Sequence, residues 1–259
     1  MNPPVNVICM KWGSLYGPEY VNRLRAGVAR HLARPHRFVC FTDDAAGLEP
    51  DFEALPLPAL GLPAGHADRR WQKLSVFRRE LADLQGTTLF LDLDLVIVDS
   101  LEPFFERPGA FRIVRDDELF RFHWQRKLKP AYDRFLKTVG NSSVFRFEIG
   151  AHSYILDAYL ADPAAATRDY RISQQFQSAQ LAAHGHLEYW PRGWCVSFKN
   201  ECVPRYVRSY LEDPAIPTGA KIVVFAGNPK MSEVLAGRGQ RWYRRIGDVT
   251  WLRRAWTGD

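Results

Sequence analysis

The first hundred residues alternate short apolar runs with longer amphipathic stretches. Val5 to Met10 is a mostly apolar run that fits a buried strand. Pro18 then stands where a first helical turn tolerates it, and Tyr20, Leu24, Val28 and Leu32 follow at four-residue spacing, which puts them on one helix face. Arg37 to Phe41 reads as a second strand ending in Thr42-Asp43-Asp44. After a connector rich in Pro and Gly (56–65), Trp71, Leu74, Phe77, Leu81 and Leu84 predict one side of a second helix. Thr87 to Leu91 is a third strand that runs directly into Asp92-Leu93-Asp94.

The second half is less regular. Phe111 to Val114, Ser143 to Phe147 and Lys221 to Phe225 read as strands, and helices are expected over 149–160 and 173–183. A β-α-β-α-β order implies an α/β fold with a mainly parallel sheet flanked by helices. Ligands of such sheets bind beyond the carboxyl ends of the strands. Lys11-Trp12-Gly13, Thr42-Asp43-Asp44 and Asp92-Leu93-Asp94 each follow a strand, so all three are expected at one edge.

Composition narrows the field. The chain has 259 residues, 46 % hydrophobic and 25 % charged, a globular balance with room for one sizeable core. Its net charge of +6 suits an acidic small substrate, an anionic membrane surface or nucleic acid. Nucleic acid is disfavoured, because the basic excess gathers late instead of running through the motifs. It lies in Arg238-Gly239-Gln240-Arg241-Trp242-Tyr243-Arg244-Arg245 and Arg253-Arg254, which reads either as a solvated helix face or as a basic aromatic tail (238–259) resting on an anionic membrane. Cys9, Cys40, Cys195 and Cys202 form no C-x-x-C pair, and no leader-like or membrane-spanning run occurs, which together predict a reduced, cytoplasmic protein.

The most informative stretch is Leu89 to Val98. Two carboxylates, Asp92 and Asp94, stand two residues apart between apolar flanks. Ionised carboxylates near a core are costly unless they are paired or hold a metal. Hard oxygen donors suit Mg²⁺ or Mn²⁺, and these suit a diphosphate. The plainer alternative is a strand-end pair facing water. His184 and His186 read as helix-end or surface groups, and His123 beside Trp124 as candidate acceptor-pocket residues. No nucleophile elbow, phosphate-binding Gly/Lys loop or Cys/His nucleophile pair is present.

With its neighbours, that stretch resembles the Asp-x-Asp signature of GT-A-fold glycosyltransferases, especially small bacterial enzymes of the glycogenin and lipopolysaccharide galactosyltransferase group. Lys11-Trp12-Gly13 with Tyr16 and Tyr20-Val21-Asn22 is similar to their opening loop and helix, and Phe38 to Asp44 to their second strand and nucleoside corner. Trp71-Gln72-Lys73-Leu74, Asn141-Ser142-Ser143, Trp194 to Lys199 and Val223 to Lys230 resemble later motifs in order. The resemblance implies one domain, with a nucleotide-binding half (1–100) and a donor-sugar and acceptor half (101–237). It also implies a nucleotide-sugar donor, with UDP as the expected nucleotide, a glycan or lipid-linked acceptor, and transfer with retention.

Site roles follow from the same resemblance. Asp92 and Asp94 would hold Mn²⁺ or Mg²⁺; Lys11, Trp12, Thr42 and Asp43 would surround the nucleotide. Lys73, Gly227 and Lys230 would meet the diphosphate, and Asn141, Ser142, Gln174 and Gln175 the sugar. Two positions depart from the family pattern: Ala226 stands where relatives carry a metal-binding His, and Ser173 where they often carry an Asp. Ala226 and Ser173 favour the alternative of an inactive nucleotide-sugar binder or scaffold. A phosphatase of the haloacid-dehalogenase type, with Asp92 as nucleophile, is a further alternative.

Overall fold

A computed structural model describes residues 5–62, 69–107, 109, 111–119 and 128–258. His123 and Trp124 lie outside the described residues. The large sheet has the order β3-β2-β1-β4-β7-β6, formed by Val5–Lys11 (β1), His36–Thr42 (β2), Glu53–Pro56 (β3), Thr87–Leu91 (β4), Phe111–Arg115 (β6) and Gly140–Glu148 (β7). The first four strands are parallel; β7 runs antiparallel to both β4 and β6. Two reversals return β6 to the direction of β4. The carboxyl ends of β1, β2, β4 and β6 and the amino end of β7 therefore share one edge.

The period of two in the strands divides the core. In β1, Val5, Val7 and Cys9 face one layer, and Ile8 and Met10 the other; in β4, Leu89 and Leu91 oppose Phe90. The second layer is aromatic. Phe90 stacks on Phe145 at 4.7 Å between ring centroids, Phe111 joins them, and Trp71 stacks on Tyr159 at 4.8 Å. The first layer receives helix α1, Pro18–His31, with Pro at its start, Glu19 in the first turn and Arg30 in the last, each where the helix ends favour it.

The stretch expected as a second helix is a 3₁₀ helix, Arg69–Phe77, followed by turns up to β4. Trp71, Leu74 and Phe77 recur every third residue, and in a three-residue turn they align on one side. Leu81 and Leu84 are buried as expected, but from irregular chain. The helix expected from residue 149 begins at Ser153, because Gly150 at φ 78° first turns the chain away from β7. The helix over 173–183 is present as Ser173–Ala183.

A second, three-stranded sheet went unread except for the strand expected over Lys221 to Phe225. Leu95–Ile97 (β5) pairs antiparallel with Ile222–Val224 (β9), which pairs parallel with Cys195–Ser197 (β8). The late basic segment is folded in as well. Helix Thr250–Thr257 buries Leu252 and Trp256; Trp256 packs edge-on against Tyr20 at 5.1 Å, and Arg30 donates to Ala255 O at 2.7 Å. All four cysteines are buried and free. Among the described residues, no helix is long and apolar enough to cross a membrane.

Candidate functional site

Asp92 and Asp94 lie where the chain leaves the large sheet and enters the small one. The Asp92 amide donates to Ser143 O at 2.9 Å, and the Asp94 carbonyl accepts from the Phe225 amide at 2.7 Å. The turn is thus held by β7 on one side and by the end of β9 on the other. Leu93 is buried between the two, and both carboxylates border a cleft of about 340 Å³ that Trp12, Tyr16, Lys73, Ser142 and Ser173 also line.

Each carboxylate has cationic company. Lys73 donates to both oxygens of Asp92, at 2.7 and 2.9 Å, and to Ser142 O at 3.1 Å. The Tyr16 hydroxyl donates to Asp94 at 3.0 Å and accepts from Lys230, whose ammonium stands 3.5 Å from Asp94. Burial holds the Asp94 carboxyl above its usual range, and the charge of Asp92 adds to this; Lys230, Tyr16 and Lys73 oppose it. Burial, and then Asp94, push the Tyr16 hydroxyl up, so it stays protonated as a donor.

A second polar cluster adjoins Ser142. Asp116, buried at the end of β6, accepts from Asn141 Nδ2 at 3.1 Å and from Gln174 Nε2 at 2.9 Å. The Gln174 carbonyl in turn meets the Ser142 amide at 3.4 Å. Burial pushes the Asp116 carboxyl up to about 6, against the two amide hydrogen bonds and with a small addition from Asp117. One acceptor therefore orients both amides beside the carboxylate pair.

The other residues singled out in the sequence divide. The first two strand-end clusters meet, as Lys11 donates to Asp44 O at 3.0 Å, Asp43 accepts from the Gly13 amide at 3.1 Å and Thr42 closes its own turn onto Asp44, and Trp12 of the first lines the cleft with Asp92 and Asp94. Gly227 has φ 77°, which a side chain rarely adopts. The Gln175 carbonyl accepts from the Arg171 amide at the start of its own helix. His184 bonds Gln180 O and His186 bonds the Tyr154 hydroxyl, both as local structural contacts. Three neighbours of the site were not assigned from sequence: Tyr16, Asp116 and Lys199. Asp116 had a partial signal, since it directly follows the expected strand Phe111 to Val114, but the direction of that strand was not legible.

Searches with family models and with the curated proteins give no match. Solved structures do match. The galactosyltransferase LgtC, in complex with donor and acceptor sugar analogs, aligns over 87 % of this chain and 88 % of its own, with a TM-score of 0.56 and 12 % identity. The chain has the fold of these glycosyltransferases. An active-site mutant of LgtC gives a TM-score of 0.56 over 87 % and 89 % of the two chains, again at 12 % identity. WbbM, a bifunctional glycosyltransferase, gives 0.59 over 89 % of this chain at 12 % identity, and this chain spans 48 % of WbbM.

Proposed function

We propose that the chain is a glycosyltransferase that takes a sugar from a nucleoside-diphosphate sugar, with UDP as the first candidate, and passes it to a glycan or lipid-linked acceptor. The observation that carries this is the pair Asp92 and Asp94 on one wall of a cleft, with Lys73 and Lys230 beside them at the carboxyl edge of a parallel sheet. Lys11, Trp12, Thr42 and Asp43 form the nucleoside side. Asn141, Ser142 and Gln174, oriented through Asp116, form the sugar side. Gln175, whose carbonyl accepts from the Arg171 amide, keeps its amide NH₂ as the group proposed to face the sugar.

The oxygens of Asp92 and Asp94 fit a divalent cation, since hard carboxylate donors from one turn border an open cleft. A bound Mn²⁺ or Mg²⁺ supplies Lewis-acid neutralisation of the leaving diphosphate. Lys73 and Lys230 add fixed positive charge, and Tyr16 keeps Asp94 oriented. Transfer with retention is the stereochemistry that the resemblance implies, and it requires no separate protein base. The test is incubation with a panel of UDP- and GDP-sugars and Mn²⁺, reading nucleotide release. One sugar nucleotide is expected to turn over slowly even without acceptor. Tight binding with no release at all would make the chain a binder.

The membrane contact suggested by the basic tail takes a different form. The tail's last helix is built into the fold, so a cut after Lys230 would strip the buried Leu252 and Trp256. What remains exposed is a patch. Trp242 and Tyr243 form the tip of a tight turn closed by Arg241 and Arg244, and the Tyr210 hydroxyl donates to Trp242 O at 2.9 Å. Trp242 and Leu211 are each 78 % exposed and Val207 73 %, with exposed Arg241 and Arg245 flanking the turn and Arg208 paired to Glu212 beside Val207. Apolar and aromatic tips flanked by arginine suit an anionic bilayer surface. Trp242→Ser with Leu211→Ser is expected to weaken cosedimentation with phosphatidylglycerol vesicles by roughly tenfold or more. Undiminished binding would remove the patch from the account.

A further inference from the structure

Two side-chain donors make a thin cation site. Among the described residues, no group of three His, Cys, Asp or Glu side chains can close around a metal. The loop that follows β9 faces Asp94, since the Phe225 amide binds the Asp94 carbonyl, yet its next two residues, Ala226 and Gly227, bring no donor side chain. A lysine stands there instead. Lys199, half-buried in the π-helical turn Phe198–Cys202 after β8, reaches across and donates to Ala226 O.

The fit around its ammonium is close. A Cβ placed on Gly227 would stand 3.1 Å from Lys199 Nζ, so the glycine leaves the ammonium its space. Burial lowers the Lys199 pKa, Arg244 and Lys230 lower it further, and Asp94 raises it, so the group feels two of the charged residues of the site, Lys230 and Asp94. A half-buried ammonium with a single carbonyl partner has two N–H donors to spare, and an anion that joins it offsets the cost of holding it near other cations. Lys73 and Lys230 reach the carboxylates of the turn, and Lys199 reaches the loop whose Phe225 amide binds the Asp94 carbonyl.

We propose that Lys199 is a diphosphate-binding residue, which with Lys230 holds the donor nucleotide in the absence of any divalent cation. The inference rests on the donor site proposed above and deepens it. A cation on Asp92 and Asp94 then tightens a complex that already forms, and the apolar loop at Ala226 and Gly227 is the opening through which the lysine reaches the phosphate oxygens.

The experiment is calorimetric titration of the full chain with UDP and GDP, in EDTA and in Mn²⁺. The wild type is expected to bind one nucleotide in EDTA. Lys199→Met, which keeps the stem and removes the charge, is expected to weaken that metal-free binding by roughly tenfold or more, as for a charge-assisted hydrogen bond. Lys199→Arg should restore part of it, and thermal melts report whether each variant folds. Binding of the wild type that appears only with Mn²⁺ overturns the inference while leaving the donor site standing. So does a folded Lys199→Met variant with unchanged affinity in EDTA. Absence of binding under both conditions overturns the donor site, and this inference with it.

Discussion

Asp94→Asn is expected to lower Mn²⁺-supported sugar transfer at least about 100-fold, the loss anticipated when several kcal/mol of metal-supplied stabilisation disappears. The melting temperature should stay level or rise. Burial and the neighbouring Asp92 hold the Asp94 carboxyl above its usual range, so its charge costs the folded state more than Lys230 and Tyr16 return. An amide at this position keeps an oxygen for the Tyr16 hydroxyl and drops the repulsion with Asp92. Metal-free nucleotide binding through Lys199 and Lys230 should survive. Paired measurements of turnover and melting decide the matter: a variant that melts many degrees lower would mean that Asp94 is a structural residue, and full Mn²⁺-supported turnover would remove it from the metal site.

Asp116→Asn should abolish a loss of stability that the wild type suffers between about pH 4 and 6. The Asp116 carboxyl is pushed up to about 6, above its unfolded value near 4. In that interval the native state binds more protons than the unfolded one, so stability falls as pH rises. The contribution is intact below about pH 4, and about 3 kcal/mol has been lost once pH has passed about 6. An asparagine cannot ionise, and its carbonyl can still accept from Asn141 and Gln174. Urea unfolding at steps between pH 4 and 7 is therefore expected to show the variant gaining on the wild type. Parallel curves over that range would mean that the wild-type carboxyl titrates at its ordinary value.

Where apolar runs are long and periodic, the sequence was legible. β1, β2, β4 and α1 lie within a residue or two of their expected bounds, because their patterns of two and of three to four residues are uninterrupted. Of the small sheet only β9 was legible, inside the expected strand Lys221 to Phe225. The strands of this sheet have three residues each, and β5 hides inside the apolar run that follows Asp94. Spacing alone did not separate a 3₁₀ helix from an α helix at Trp71, Leu74 and Phe77, since both put every third residue on nearly one side. In the site, Asp92 and Asp94 could be placed from their strand-end position, whereas Lys73 was singled out through the resemblance. Tyr16, Asp116 and Lys199 are single polar residues whose meaning depends on which strand lies beside which. Only the direction of β6, returned to that of β4 by two reversals, brings Asp116 to the shared edge.

The carboxylate turn is a seam between two sheets, and this has a consequence for the order in which the molecule assembles. Asp92 is fixed by β7, but Asp94 waits for β9, a strand from the far end of the chain. Pairings between distant segments form late, since a long loop must close before they bring any return. The parallel half can therefore collapse around its aromatic layer while its second carboxylate is still loose. A nascent chain would hold one wall of the cleft, with Asp92, before the turn that carries Asp94 was fixed by β9.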